Sequence, residues 1–152
     1  MSQRVNFAQR SPNLFKKFLA FTHALGESTM DAKLIDLVSI RTSQLNGCEF
    51  CLGLHITQAK MHGESELRMN HVSTWRESAL FTPRECAALI WTEILTNLPA
   101  DGVPTEVYDR VREQFSEQEI SDLSFLIVSV NGWDRINVAF KTETGRSTRV
   151  SK

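Results

Sequence analysis

From Leu34 to His55 the chain reads LIDLVSIRTSQLNGCEFCLGLH, and this stretch decides what kind of protein it is. Leu34, Leu37, Val38, Arg41 and Leu45 recur at helical spacing, which predicts a helix from about Asp31 to Leu45. Asn46-Gly47 ends it with a pair that suits a left-handed C-terminal cap. The next helix is expected to begin at or near Cys48 and to end at Gly63. Residues at i, i+3, i+4 and i+7 of a helix share a face, so Cys48, Cys51, Leu52 and His55 form one stripe. Two thiols and one imidazole therefore lie along a single edge.

Working outward, helix punctuation recurs on both sides. Ser11-Pro12 is an N-cap with proline at the first helical position, continued by Leu14, Phe15, Phe18 and Leu19 toward Gly26. Glu64 to Ser78 reads as one or two short helices. Thr82-Pro83-Arg84-Glu85 is a capping box, and its helix carries Ala87, Ile90, Trp91, Ile94 and Leu98 to the stop at Pro99. Pro104 leads into a helix ending near Phe115. Ser116-Glu117-Gln118-Glu119 is a second capping box, opening a long helix to about Phe140 with Leu123, Leu126, Ile127, Val130 and Val138 buried. Strand-like alternation is nearly absent. The expectation is an all-α protein of about six to eight helices, a single helical domain over residues 10–140 with a polar, basic tail over 141–152.

Composition narrows the classes. The 152 residues are 41% hydrophobic and 23% charged, which suits one globular domain with its own core. A net charge of -1 gives no electrostatic reason to bind nucleic acid. The opening Met1-Ser2-Gln3-Arg4-Val5-Asn6 lacks the apolar run of a signal peptide, and no stretch has the roughly 20 apolar residues of a membrane span. A cytoplasmic protein without membrane contact is expected.

The cysteines carry the chemistry. Three is a poor number for a structural framework, and two of them stand three residues apart. A helix N-terminus lowers a thiol pKa through its exposed N–H groups and dipole. His55, one turn beyond Cys51, is placed to take up or relay its proton, and the second thiol can condense with an oxidised sulfur. Zinc also uses this spacing, with His55 and His62 the nearest further ligands. One helix does not easily wrap four ligands around an ion, and there is no second cysteine pair. No metal and no cofactor are expected. A thioredoxin-like arrangement would place the pair after a strand, whereas here a helix precedes it. Cys86, in an apolar helical pattern, reads as a small buried hydrophobe, and His23, His62 and His71 as solvated or capping residues. Trp75, Trp91 and Trp133 read as packing.

The combination of Arg41, Ser43-Gln44, Asn46-Gly47, the paired cysteines and His55 resembles the core of the alkylhydroperoxidase D-like family, within the carboxymuconolactone decarboxylase superfamily. Trp75-Arg76-Glu77, the run from Phe81 through Trp91-Thr92-Glu93, and Asn131-Gly132-Trp133-Asp134-Arg135 extend the likeness over roughly residues 10 to 140. The resemblance implies an all-helical fold, a homo-oligomer (trimer or hexamer), and a thiol-dependent peroxidase that acts in antioxidant defence. It implies that Cys51 attacks a hydroperoxide, Cys48 resolves, His55 assists and Asp36 completes a proton relay. An external dithiol or lipoyl-type reductant would then restore the thiols. The chain departs from the family in two places: Asp36 stands where Glu is usual, and Phe50 where a histidine lies between the cysteines.

Spacing is compatible with the Asp36 role, since Asp36, Ile40, Ser43 and Gly47 share a stripe leading toward Cys48. A solvated helix charge is the alternative. Arg41 is read as structural support, paired with a carboxylate. Rival functions are a non-peroxidase disulfide oxidoreductase, a redox sensor, and a decarboxylase-type enzyme of the same superfamily. Members of the last kind generally lack the cysteine pair.

Overall fold

Asp31 starts the central helix by accepting a hydrogen bond from the Leu34 amide at 2.9 Å, and Gly47, at φ 63°, ends it in the left-handed region. In the computed structural model, which describes residues 2–144, this helix is α3 (Ala32–Asn46). Before it come α1 (Phe7–Arg10) and α2 (Pro12–Ala24). After it come α4 (Glu49–Met61), α5 (Glu66–His71), α6 (Pro83–Thr96), α7 (Thr105–Arg112) and α8 (Glu117–Phe140). Two 3₁₀ segments, Leu25–Glu27 and Val72–Glu77, join neighbours, and the described residues contain no strand. The all-α expectation holds. No described helix is long and apolar enough to cross a membrane. Part of the tail, residues 145–152, lies outside the described residues.

Both capping boxes form as read, with Thr82 and Glu85 exchanging hydrogen bonds at the start of α6 and Ser116 and Glu119 at the start of α8. The sequence reading did not include α1. Its Phe7 ring packs 6.0 Å from Phe15, 6.2 Å from Phe140 and 6.4 Å from Trp133. The chain is tied down even earlier, where the Arg4 amide donates to the Phe140 carbonyl at 2.8 Å.

α3 packs against α4, α6 and α8, and this position explains a difference from its apolar stripe. Burial extends round the helix: Asp36, Ser39, Ile40, Thr42 and Ser43 are buried together with Leu34, Leu37 and Val38, while Arg41 and Leu45 are only half-buried. A helix with neighbours on several sides cannot leave a polar face in water, so its polar residues find internal partners. Leu34 and Val38 meet Ala88, Trp91, Leu123 and Ile127 in one cluster, and Leu37 and Ile40 meet Ala59, Met69, Val72 and Leu89 in another. Truncating Leu123 or Leu89 to alanine should cost about 2–5 kcal/mol, read from urea unfolding midpoints.

Three apolar positions fall elsewhere than expected: Leu14, Leu98 and Val138 are exposed. Leu98 lies beyond the end of α6 at Thr96, and the long α8 turns part of its surface outward, with Phe125, Val128 and Val138 all exposed. Gly132 inside α8 has a packing reason. A Cβ there would meet the Phe18 ring at 2.7 Å, and that ring stacks 4.3 Å from Trp133.

A buried disulfide beside an apolar cavity

The turn at Gly47 brings the chain straight from α3 into α4, with Cys48 as N-cap: its sulfur accepts from the Cys51 amide at 3.3 Å. Cys48 therefore stands just before the helix and Cys51 in its first turn. The two are joined in a disulfide, and both are buried. Cys86 takes no part in it. It is half-buried, its S–H faces the Phe81 carbonyl at 3.8 Å, and burial pushes its thiol pKa up. A raised pKa keeps it protonated and unreactive.

A cavity of about 730 Å³ opens at this point. Phe7, Phe15, Leu19, Leu25, Met30, Phe50, Leu126 and Trp133 make its walls largely apolar. Cys51, Asp36, His55 and His62 supply polar groups to the same lining. Cys48 does not reach it. A concave apolar site with a few convergent polar groups is the ordinary form of a small-molecule pocket.

The structure thus brings Asp36, Cys51 and His55 together, but their partners differ from a simple chain of three. Asp36 is buried, not a solvated charge, and its Oδ2 lies 2.6 Å from Nδ1 of His62. His62 is the C-cap of α4 and half-exposed, so the capping role holds, yet it is also the histidine that holds the carboxylate. His55 lies with Nδ1 3.4 Å from Gln58 Oε1. Burial raises the pKa of Asp36 despite the hydrogen bond and charge of His62. Burial also lowers that of His55, against the hydrogen bond that Gln58 Oε1 accepts from the ring. His55 is then neutral at physiological pH and able to accept a proton.

Behind the disulfide lies a member of the motif at residues 131–135 to which the sequence assigns no role. Asp134 of α8 is wholly buried, and its carboxylate accepts from Ser43 Oγ and Asn46 Nδ2, each at 2.9 Å. Its oxygen and the sulfurs of Cys48 and Cys51 all lie within 4.8 Å of one another. Those three atoms are the one group among the described residues with the spacing of a metal site. Sulfurs bonded to each other are not thiolate ligands, so only the reduced pair could act in that way. Asn46 Nδ2 also donates to Asn131 Oδ1, which Arg135 holds at 2.7 Å, so the motifs around residues 43–47 and 131–135 form one hydrogen-bond network that runs from buried Asp134 out to exposed Arg135.

Arg41 has the structural role read for it. It pairs with Glu93 at 2.9 Å, and Glu93 also accepts from the Trp75 indole at 2.8 Å and from Arg76.

A sequence model of the carboxymuconolactone decarboxylase family matches residues 12–93. The chain is 37% identical over 139 residues to the uncharacterised protein YdfG of Bacillus subtilis, covering 91% of this chain and 95% of that one. Among solved structures, a protein of unknown function from Agrobacterium tumefaciens, provisionally assigned as the antioxidant defence protein AhpD, superposes with a TM-score of 0.91. It is 33% identical, over 95% of this chain and 99% of that one. An uncharacterised peroxidase-related protein from Ralstonia eutropha with an alkylhydroperoxidase AhpD core shares the fold at a TM-score of 0.81. It is 18% identical, over 91% of this chain and 74% of that one.

Proposed function

Since the chain belongs to the carboxymuconolactone decarboxylase family and has its AhpD-like core, we propose that it is a thiol-dependent peroxidase working through the Cys48–Cys51 pair. The observation that carries this reading is the asymmetry of the pair: Cys51, and not Cys48, lines the cavity, beside His55 and the Asp36–His62 pair. In the proposed cycle the Cys51 thiolate attacks the distal oxygen of a hydroperoxide. An S–O bond forms, the O–O bond breaks, and the alcohol leaves with a proton from the cavity-side imidazoles. Cys48 then attacks the sulfenic sulfur, forming the disulfide and releasing water. An external dithiol or lipoyl-type group restores both thiols. The apolar walls suit an organic hydroperoxide of some bulk better than hydrogen peroxide, whose small polar body gains little from such a site.

Peroxide consumption by the purified protein, across organic hydroperoxides and a panel of dithiols, tests the reading. Absence of turnover with every pair would leave a redox sensor as the better account. Self-association belongs to the same proposal: Phe125 and Val128 expose apolar surface on α8, which suits burial in a trimer or hexamer. Light scattering on untagged protein is the check.

Two further outcomes are expected. Asp36→Asn should slow peroxide reduction about tenfold or more while disulfide formation by diamide stays intact, as for a group that supports proton transfer. His62→Gln should give the same phenotype, because Nδ1 of His62 holds the Asp36 carboxylate at 2.6 Å. Unchanged rates in both would make the pair structural.

The pH dependence follows from His55. Its pKa lies below the ordinary 6.5, so the neutral base persists as the pH falls below that value. The rate of Cys51 oxidation should lose its histidine-dependent limb below pH 6.5, and His55→Ala should remove that limb. For stability the sign is fixed by proton binding. Between the lowered folded pKa and 6.5 the unfolded chain binds more protons, so this group's effect is to destabilise the fold as pH falls through that window.

A further inference from the structure

We propose that Asp134 is the proton partner of the Cys48 sulfur, giving up a proton when the disulfide is reduced and taking it back when the disulfide re-forms. The need for one arises from burial. Cys48 is 2% exposed and stands away from the cavity, so a thiolate released there has no water to protonate it. Asp134, 0% exposed, is the carboxyl within 4.8 Å of that sulfur.

Asp134's surroundings favour holding a proton. α3 faces it only with the neutral donors Ser43 and Asn46, and α4 with Cys48 and Cys51. On its own helix Arg135 lowers its pKa through space, but the guanidinium bonds to Asn131 instead of to the carboxylate. Burial outweighs these and raises the pKa. The hydrogen bonds from Asn46 and Ser43 lower it too, but a carboxylate buried without a paired cation is costly to ionise, and it gives up its proton readily only to a stronger local base. A buried thiolate is such a base.

The steps balance. In reduction, a thiolate of an external dithiol attacks Cys51 Sγ from the cavity and forms a mixed disulfide. The Cys48–Cys51 bond breaks, its electron pair goes to Cys48 Sγ, and Asp134 protonates that sulfur. The reductant's second thiol then displaces Cys51 and leaves as a cyclic or paired disulfide. In the oxidative half, Cys48 returns its proton to the Asp134 carboxylate as its sulfur attacks the Cys51 sulfenic acid. The departing hydroxide takes a proton from the cavity side and leaves as water. Asp134 ends each cycle as it began.

Asp134→Asn is a suitable probe, because asparagine can accept from Asn46 and donate to Ser43, which keeps both hydrogen bonds. Single-turnover reduction of the oxidised protein by dithiothreitol should slow by about 10²-fold, the scale of a lost general acid. In a Cys51→Ser background, thiolate absorbance should show Cys48 ionising at lower pH once Asp134→Asn removes the neighbouring charge. A structural role alone would not move that titration. Reduction within twofold of wild type at every pH would overturn the proposal. The wild-type protein supplies a second test, independent of whether the variant folds. The reduced-minus-oxidised infrared difference spectrum should show loss of a carboxylic-acid C=O band that persists in Asp36→Asn, and a spectrum without it overturns the proposal. The inference rests on the peroxidase reading only for the direction of the cycle. Dithiothreitol reduction reports on Asp134 even if no peroxide is turned over, and peroxide turnover stands even if Asp134 proves inert.

Discussion

Cys51→Ser should abolish the reaction with hydroperoxide, whereas Cys48→Ser should react once and accumulate a trappable sulfenic acid on Cys51. Two local effects compete over which thiol attacks. Cys48 is the N-cap of α4, and a helix N-terminus favours a thiolate by about 0.3–1 kcal/mol at an exposed site. Against it stands His55, one turn from Cys51 but two turns from Cys48, beyond direct reach of the latter. Proton transfer by a positioned group contributes 10²–10⁴-fold, several times the dipole effect in free energy. Access points the same way, because Cys51 lines the cavity and Cys48 faces Asp134. His55→Ala should accordingly slow Cys51 oxidation by about 10²-fold without unfolding the protein. Dimedone-type labelling of each variant, read by mass spectrometry, decides the matter. Equal labelling of Cys48 in Cys51→Ser and of Cys51 in Cys48→Ser would reverse the assignment.

Much of the helix order was legible because its signals are local. A capping box at Thr82 or Ser116, a proline at position 12 and Asn46-Gly47 each act within one turn of themselves, so no tertiary knowledge is required. The cysteine pair and His55 were legible for the same reason. α1 escaped because four residues give no periodicity, and it is held by the Asn6 cap and by the Phe7 ring against Phe15, Trp133 and Phe140. The burial of α3 on several sides escaped because a single helix records its own stripe and not the number of its neighbours.

The partners of the site carboxylates were the least legible. Asp36 meets His62, 26 residues on, and Asp134 meets Ser43, 91 residues back. Neither separation has a helical period to announce it. A signal for His62 did exist: it lies on the same broad face of α4 as His55. For Asp134 the hints were its place in the motif at residues 131–135 and its position among the apolar residues of the second half of α8. A charge in that position needs a reason, and the sulfurs of Cys48 and Cys51 supply one.

Glu93→Ala should be the most destabilising single change outside the apolar core, costing about 2–4 kcal/mol while leaving the redox chemistry of the folded protein unaltered. The carboxylate side chain is 15% exposed and serves three side chains on two elements: Arg41 of α3, and Trp75 and Arg76 of the second 3₁₀ segment. Removing one partner of a buried ion pair typically costs 3–5 kcal/mol, because the other charge stays behind unpaired. The figure is reduced here, since Arg76 is exposed and regains water, and Arg41 keeps a 3.2 Å hydrogen bond to Gln44. Glu93→Gln retains an acceptor for Trp75 and should fall about midway. Burial works to raise the Glu93 pKa, but the hydrogen bonds from Trp75, Arg76 and Arg41 outweigh it and hold the pKa below the ordinary 4.5. The stabilisation is therefore fully present above pH 4.5 and is lost as pH falls through the lower folded value, so the variant and wild type should converge in acid. Urea unfolding at neutral pH and in acid measures both effects. Glu93 is not part of the cavity wall, so diamide-driven disulfide formation in the folded fraction should match wild type. A neutral-pH difference below about 0.5 kcal/mol would mean that the network is a surface ion pair of little worth, and that α3 is held in place by its apolar contacts alone.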